Sequence, residues 1–155
     1  MLEAANGPHI QAMETPIPLA AELAIRFGRG GFDLDVAASA FNALADRYYD
    51  EEIDGLAQPW NAESVWCNPP YGNILPWVIR AIEEVENDNA GVVVMCLPAR
   101  TSTPWFQIGL AHGEAYFIEG RVSFIDPQTG QPKKGNFEHT VILVFQKGLR
   151  AKDHR

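Results

Sequence analysis

The residues best suited to chemistry form the tetrapeptide 68–71 (NPPY), which directly follows the short apolar run Val65-Trp66-Cys67. Asn68 offers a side-chain carbonyl that accepts hydrogen bonds, and Pro69 keeps a backbone carbonyl while lacking an N–H donor. The prolines at 69 and 70 restrict the backbone, so these two acceptors can be held close together, as the two hydrogens of an –NH2 group require. Tyr71 adds an aromatic face able to stack on a planar base.

Two fixed acceptors would suit the alkylation of an amine on a heteroaromatic ring, which is a poor nucleophile because its lone pair is delocalised. Acceptors on both hydrogens favour a pyramidal nitrogen and stabilise the positive charge that develops on it, a form of preorganised electrostatic catalysis. The alternative is a rigid turn whose tyrosine simply packs, since short motifs recur by chance. The position of NPPY between an apolar strand and an amphipathic helix favours the catalytic interpretation.

The elements that position this tetrapeptide can be predicted from the spacing of apolar residues. The segment 75–86 has the spacing of an amphipathic helix, and 91–98 (GVVVMCLP) reads as a buried strand. Further helices are predicted at 19–28 (LAAELAIRFG), opened by the segment 15–18, and at 42–46 and 103–112. Further strands are predicted at 32–38, 47–49, 115–119, 121–125 and 139–148. This alternation predicts a three-layer α/β fold with a mostly parallel sheet and a terminal antiparallel hairpin. Ligands of such sheets bind beyond the carboxyl ends of strands, near a topological switch point.

The bulk properties indicate one domain, expected at 15–148 between a flexible lead-in at 1–14 and a C-terminal tail at 149–155. The net charge of −8 argues against nucleic-acid binding by bulk electrostatics alone. No apolar run approaches the roughly 20 residues of a membrane helix, and no signal-peptide pattern opens the chain. Cys67 and Cys96 are predicted to be buried, reduced thiols, and no Cys/His spacing predicts a metal site. A cytoplasmic location is expected.

An ordered series of motifs resembles the phage-type DNA N6-adenine methyltransferases, which use S-adenosylmethionine. The resemblance spans about residues 15 to 146 and implies a minimal version of the Rossmann-like class I methyltransferase fold, in the cytoplasm of a host cell if the gene is phage-encoded. Only about thirty residues separate its first and fourth canonical strands, which leaves little room for the usual strands between them. The motifs that carry the resemblance are Thr15-Pro16, FDLDVAA at 32–38, Asn42, Asp54-Gly55-Leu56 with Trp60, VWCNPPYG at 65–72, Trp77, LPARTSTPWF at 97–106 and GRVSF at 120–124.

The resemblance implies the roles of the tetrapeptide. Asn68 and the Pro69 carbonyl would hold the N6 amine, Pro70 would stiffen the turn, and Tyr71 would stack on the adenine. Adenine in a duplex hides its amine from a buried pocket, so the nucleotide would have to be flipped out. The implied catalytic residues are therefore Asn68, Pro69, Pro70 and Tyr71.

The resemblance also implies a cofactor site at the end of the first strand, formed by Thr15, Pro16, Asp35, Ala37, Asn42 and Asp54. Ala37 and Ala38 replace the glycines of the usual superfamily loop, yet remain small enough for close approach. Asp50 and Asp54 are equal candidates for the cofactor's ribose hydroxyls, and either can equally be a turn residue. Asn42, without the resemblance, reads as a helix-surface residue.

Double-stranded DNA is the implied partner, and its expected contacts are Arg100, Thr101, Arg121, Lys133 and Lys134. An arginine at a sheet edge and exposed lysines are also ordinary surface features, so each contact has a structural alternative. No separate target-recognition domain is evident. Sequence specificity would then come from short loops, particularly 126–137, or from a second subunit in a homodimer.

Two other functions fit the same residues. NPPY also occurs in enzymes that methylate RNA bases or protein glutamine, and the acidic charge makes such substrates more credible. The chain could also be a non-catalytic module that uses its acidic surface to bind a partner protein. Cofactor binding and a comparison of methyl acceptors would separate these alternatives.

Overall fold

Helices and strands alternate through the computed structural model, which describes residues 17–39, 41–120, 129, 131 and 138–148. The helices are α1 (Ile17–Phe27), α2 (Leu75–Glu86) and α3 (Pro104–His112), and a 3-10 helix covers Gly55–Ala57. The strands are β1 (Leu34–Asp35), β2 (Arg47–Tyr48), β3 (Ala62–Cys67), β4 (Ala90–Pro98), β5 (Glu114–Phe117) and β6 (Thr140–Gln146).

The six described strands form one sheet in the order β2-β1-β3-β4-β6-β5. β2, β1, β3 and β4 pair in parallel, whereas β6 runs antiparallel to both β4 and β5. This confirms the predicted mostly parallel sheet and its terminal antiparallel pair. The chain passes from β1 to β2 on one side and then to β3 on the other, so the topological switch point lies between β1 and β3.

Helices cover both faces of the sheet, as the three-layer prediction requires. Side chains alternate between the two faces along a strand, so β4 and β6 each contribute to both cores. The core on the α2 and α3 side includes Val93, Met95, Leu97, Leu143, Trp77, Trp105 and Phe106. The core on the α1 side includes Val92, Val94, Cys96, Ile142, Leu19 and Leu23. Trp77 and Trp105 are thus buried and pack in the core.

The short helix predicted at 42–46 is wrong, because this segment forms turns. The Leu44 N–H donates to Asp35 Oδ2 over 3.0 Å, and the Ser39 N–H donates to Asn42 Oδ1 over 2.7 Å. Such side-chain acceptors compete with the helical ladder. β1 is also shorter than the predicted strand at 32–38. Among the described residues between β1 and β3, the only strand is the two-residue β2, in agreement with the predicted minimal fold.

Some predictions lie outside the described residues, namely the strand at 121–125, the lead-in at 1–14 and the tail at 149–155. The proposed domain boundaries stay a prediction. Cys67 and Cys96 are buried free thiols, as predicted. Among the described residues, no helix is long and apolar enough to cross a membrane.

Candidate functional site

The site is built around the switch point, where β1 and β3 end side by side. Asp35, the last residue of β1, pairs with Trp66 in the parallel register, and the Val36 N–H donates to the Trp66 carbonyl over 3.1 Å. Asn68 follows two residues after Trp66. The structure therefore brings together the predicted cofactor carboxylate and the predicted amine-binding tetrapeptide at one edge of the sheet.

The tetrapeptide is anchored to the neighbouring strand through Tyr71. The Tyr71 hydroxyl lies 3.0 Å from Asn68 Oδ1 and 3.1 Å from the Cys96 carbonyl oxygen of β4, and these two acceptors share its single proton. Burial raises the pKa of Tyr71 well above its ordinary value, so the hydroxyl keeps its proton. Asn68, just after β3, is half-buried. Tyr71 is buried, and its hydroxyl is held by hydrogen bonds.

The ring of Tyr71 is largely enclosed. Only 6% of the residue is exposed, and it belongs to the core on the α2 and α3 side. Its predicted stacking on a base stays a prediction, and a base could use only the part of the ring left uncovered. The predicted roles of Asn68, Pro69 and Pro70 also stay predictions.

The loop after β1 is shaped by the Asp35 carboxylate. Asp35 Oδ1 accepts from the Ala37 N–H over 3.2 Å, and Oδ2 accepts from the Leu44 N–H over 3.0 Å. Burial raises the pKa of Asp35 to about 6, although these two hydrogen bonds act in the opposite direction. Together with Asn42 Oδ1, which accepts from Ser39, the carboxylate holds in place a loop that has no glycine-rich sequence.

A second loop, 50–57, lies against the end of β1. A Cβ added to Gly55 would sit 2.0 Å from the Val36 carbonyl oxygen, so only glycine permits this approach. Asp54 caps the 3-10 helix by accepting from the Leu56 N–H over 3.1 Å, and Asp50 Oδ1 accepts from the Ile53 N–H over 2.9 Å. Both carboxylates thus serve as turn residues, and the choice between them as a ribose ligand stays open.

A partly buried ion pair on α2 fixes the end of this loop and the residues that follow it. The Arg80 guanidinium donates to the carbonyls of Leu56 and Gln58 and pairs with Glu84 over 2.9 Å. Glu84 also accepts from the Trp60 N–H and from Asn89 Nδ2. Burial alone would raise the pKa of Glu84, but its hydrogen bonds lower it below the ordinary value. The sequence analysis missed Arg80 and Glu84, for which an i, i+4 spacing of opposite charges was the available signal.

Residues after β4 reach the same edge of the sheet as NPPY. Arg100 Nη1 donates to the Tyr71 carbonyl over 3.0 Å, and the rest of its guanidinium pairs with Glu138. Thr101 is exposed, and its role in binding DNA stays a prediction. Thr103 caps α3 by accepting from the Phe106 N–H. The sequence analysis did not single out Glu138.

Five predicted site residues lie outside the described part of the chain. They are Thr15 and Pro16 for the cofactor, and Arg121, Lys133 and Lys134 for DNA. Their roles stay predictions.

Comparison with known proteins gives one consistent family. A family model described as DNA N-6-adenine-methyltransferase (Dam) matches residues 8–153. A DNA N-6-adenine-methyltransferase of Escherichia phage T1 is 33% identical over 149 residues, which cover 85% of this chain and 61% of the relative. One of Haemophilus phage HP1 is 32% identical over 117 residues, covering 74% of this chain and 67% of the relative. The chain therefore spans about two thirds or less of the length of these relatives.

The fold also matches a solved structure. A protein from Pyrococcus horikoshii, described as a candidate RNA methyltransferase, aligns with a TM-score of 0.53 over 94% of this chain and 92% of its own. At 18% identity, this likeness supports the fold alone.

Proposed function

Because this chain belongs to the DNA N-6-adenine-methyltransferase (Dam) family, we propose that it transfers a methyl group from S-adenosylmethionine to the N6 amine of a flipped-out adenine in DNA. The observation that carries the proposal is the position of NPPY at the switch point, beside the loop that Asp35 organises. Ligands of parallel α/β sheets bind at this place.

The chain's own residues would activate the amine by accepting its hydrogens. Asn68 Oδ1 and the Pro69 carbonyl would hold the two N–H groups, which directs the nitrogen lone pair toward the methyl group and stabilises the charge that develops on nitrogen. S-adenosylmethionine, when bound, supplies an electrophilic methyl on a sulfonium. No strong general base would be needed among the chain's own residues, because the proton of the amine could leave for water once positive charge had developed on the nitrogen.

The residues around β1 fit such a cofactor. Ala37 and Ala38 keep the loop after β1 small, and Gly55 lets the 50–57 loop lie against Val36. Asp50 or Asp54 would accept from the ribose hydroxyls, and Asp35 would hold the loop that receives the methionine end. In this arrangement Asp35 acts mainly through the Ala37 and Leu44 N–H groups.

Double-stranded DNA is the proposed substrate and partner, although the chain carries a net charge of −8. Local contacts from Arg121, Lys133, Lys134 and Thr101 would then have to offset the overall repulsion, or a second copy of the chain would have to contribute. The proposed site of action is the cytoplasm, where DNA and S-adenosylmethionine are both accessible.

A methyl-transfer assay tests the proposal. The protein is incubated with tritiated S-adenosylmethionine and, in parallel, with unmethylated duplex DNA, RNA and a protein mixture. We expect label in DNA as N6-methyladenine, and mapping of a defined DNA library would then give the recognised sequence. Label confined to RNA or protein would overturn the DNA substrate. Absence of S-adenosylmethionine binding by calorimetry would favour a non-catalytic module.

A further inference from the structure

Arg100 contacts two separate parts of the chain at once. Its Nε and Nη2 donate to Glu138 Oε2 and Oε1 over 2.7 and 2.8 Å, and its Nη1 donates to the Tyr71 carbonyl over 3.0 Å. The two bonds to Glu138 form the planar, bidentate arrangement that fixes a guanidinium in orientation as well as position. The pKa of Arg100 is raised by this hydrogen-bonded pairing with Glu138.

The pairing of β4 with β6 explains why Glu138 is available to Arg100. Pro98 pairs with Thr140, and the Ala99 N–H donates to the His139 carbonyl over 2.8 Å. Extending this antiparallel register by one more residue places Arg100 opposite Glu138. The ion pair is therefore held by the sheet itself, at the point where the chain enters β6.

We infer that Arg100 is a positioning residue that ties the carbonyl end of NPPY to Glu138 and thereby fixes the tetrapeptide relative to β4 and β6. This inference rests on the proposed function. The tetrapeptide is then held at two places: Arg100 binds the backbone of Tyr71, and the Tyr71 hydroxyl binds Asn68 and Cys96. Because Tyr71 carries both attachments, they restrict the position of Asn68 Oδ1, the acceptor that would bind the amine.

The exposure of the Arg100–Glu138 ion pair favours a role in positioning the tetrapeptide over a role in stabilising the fold. The side chains of Arg100 and Glu138 are 37% and 34% exposed, and ion pairs this accessible contribute little to stability. The alternative role, expected from the sequence, is a contact between Arg100 and a DNA phosphate. A lysine retains most of a phosphate contact, but cannot reproduce the bidentate pair together with the bond to Tyr71.

The test compares Arg100→Lys and Glu138→Gln with wild type, using kcat, KM for DNA and the salt dependence of KM. Misplacement of a reacting group by about 1 Å can cost about 100-fold in rate, so we expect kcat to fall about 10- to 100-fold in both variants. We expect the KM for DNA to stay within about twofold and the salt dependence to be unchanged. The affinity for S-adenosylmethionine, measured by calorimetry, should also be preserved.

Two further variants act as controls. Lys147→Gln removes the exposed ion pair with Asp88 and should leave kcat at the wild-type value. Glu138→Asp keeps the charge but moves the carboxylate, and it should give an intermediate kcat. If Arg100→Lys does not fold, the kcat of Glu138→Asp tests the inference in its place.

Other outcomes would contradict the inference in distinct ways. Wild-type kcat in both Arg100→Lys and Glu138→Gln would overturn it while leaving the proposed function intact. A phosphate contact would instead leave Arg100→Lys close to wild type in kcat and in the KM for DNA, and would lower that KM in Glu138→Gln, because this change frees the guanidinium. If the wild-type protein does not methylate DNA, the proposed function and this inference both fail.

Discussion

The Tyr71 hydroxyl lies 3.0 Å from Asn68 Oδ1, within the same tetrapeptide, and 3.1 Å from the Cys96 carbonyl of the neighbouring strand. The residue expected to hold an amine is thus linked through a buried phenol to the central strand of the sheet. Stiffness in this tetrapeptide comes from the two prolines and also from this hydrogen bonding.

Asn68→Ala should abolish methyl transfer while leaving affinity for S-adenosylmethionine nearly unchanged. The substitution removes the side-chain acceptor that would stabilise charge on the amine, and loss of one such group costs about 100- to 1000-fold in kcat. Single-turnover kinetics and calorimetry would measure the two effects. Asn73→Ala, in the exposed turn that follows, is the matched control and should behave as wild type. Undiminished transfer by Asn68→Ala would exclude the amine-polarising mechanism.

Tyr71→Phe keeps the buried ring and removes only the hydroxyl. Loss of the bonds to Asn68 and Cys96 should lower kcat about tenfold, because the amide is less firmly oriented, and should reduce the free energy of unfolding by about 1 kcal/mol. Steady-state kinetics and urea unfolding give the two values. Tyr116→Phe, whose hydroxyl donates to Glu114 on β5, is the control and should keep the wild-type kcat. Equal rates for wild type and Tyr71→Phe would restrict Tyr71 to packing or stacking.

The buried Asp35 carboxylate should give the protein a specific pH dependence. Burial raises its pKa from the ordinary value of 3.8 to about 6 in the folded protein, so the folded state binds the proton more tightly. The stabilisation is fully present below pH 3.8 and is lost as the pH rises through about 6. Relative to Asp35→Asn, wild type should therefore lose about 3 kcal/mol of unfolding free energy across this window.

Urea unfolding of both proteins at several pH values from about 3.5 to 7.5, a range that spans both pKa values, would measure this difference. The same titration should affect cofactor affinity in the opposite direction, because Asp35 holds the loop after β1. The ionised carboxylate accepts from both Ala37 and Leu44, so affinity for S-adenosylmethionine should rise as the pH increases through about 6. A stability difference that does not change with pH would show that Asp35 titrates as an ordinary carboxyl group.

Gly55→Ala should displace the 50–57 loop from the end of β1. The new Cβ would meet the Val36 carbonyl oxygen at 2.0 Å, and overpacking of this kind costs about 1–3 kcal/mol. We expect a lower melting temperature and weaker binding of S-adenosylmethionine. Gly31→Ala is the control, since a Cβ there meets nothing within 4 Å. An unchanged melting temperature in Gly55→Ala would contradict this close packing.

The parts of the fold that the sequence predicts best are those with a long apolar pattern. The helix predicted at 75–86 is α2, and the strands predicted at 91–98 and 139–148 contain most of β4 and β6. A strong apolar pattern indicates burial directly, so these elements can be predicted without knowing which elements they pack against. The prediction of a helix at 42–46 failed because Asp35 supplies an acceptor for the Leu44 N–H, and no local sequence pattern reveals this hydrogen bond.

The residues of the candidate site also divide into those that the sequence predicts and those that depend on the tertiary structure. NPPY and Asp35 could be found because strands of a parallel sheet end at a common edge, and the structure places both there. Glu138 could not be found, since it lies 38 positions from Arg100 and meets it only through the register of β4 with β6. The close contact of Gly55 with Val36 also depends on packing between loops that are separate in sequence.

The strand order has a consequence for how the chain folds. β6 lies between β4 and β5, so among the described strands β5 has no hydrogen-bonded neighbour other than β6. β4 precedes β6 by more than forty positions, and closing such a separation carries an entropic cost before any pairing compensates it. The β1–β3–β4 part can therefore assemble from shorter-range contacts, whereas insertion of β6 is the step that completes the sheet. Arg100 and Glu138 meet only in that step, so we expect the proposed support of the NPPY turn to be among the last features of the molecule to form.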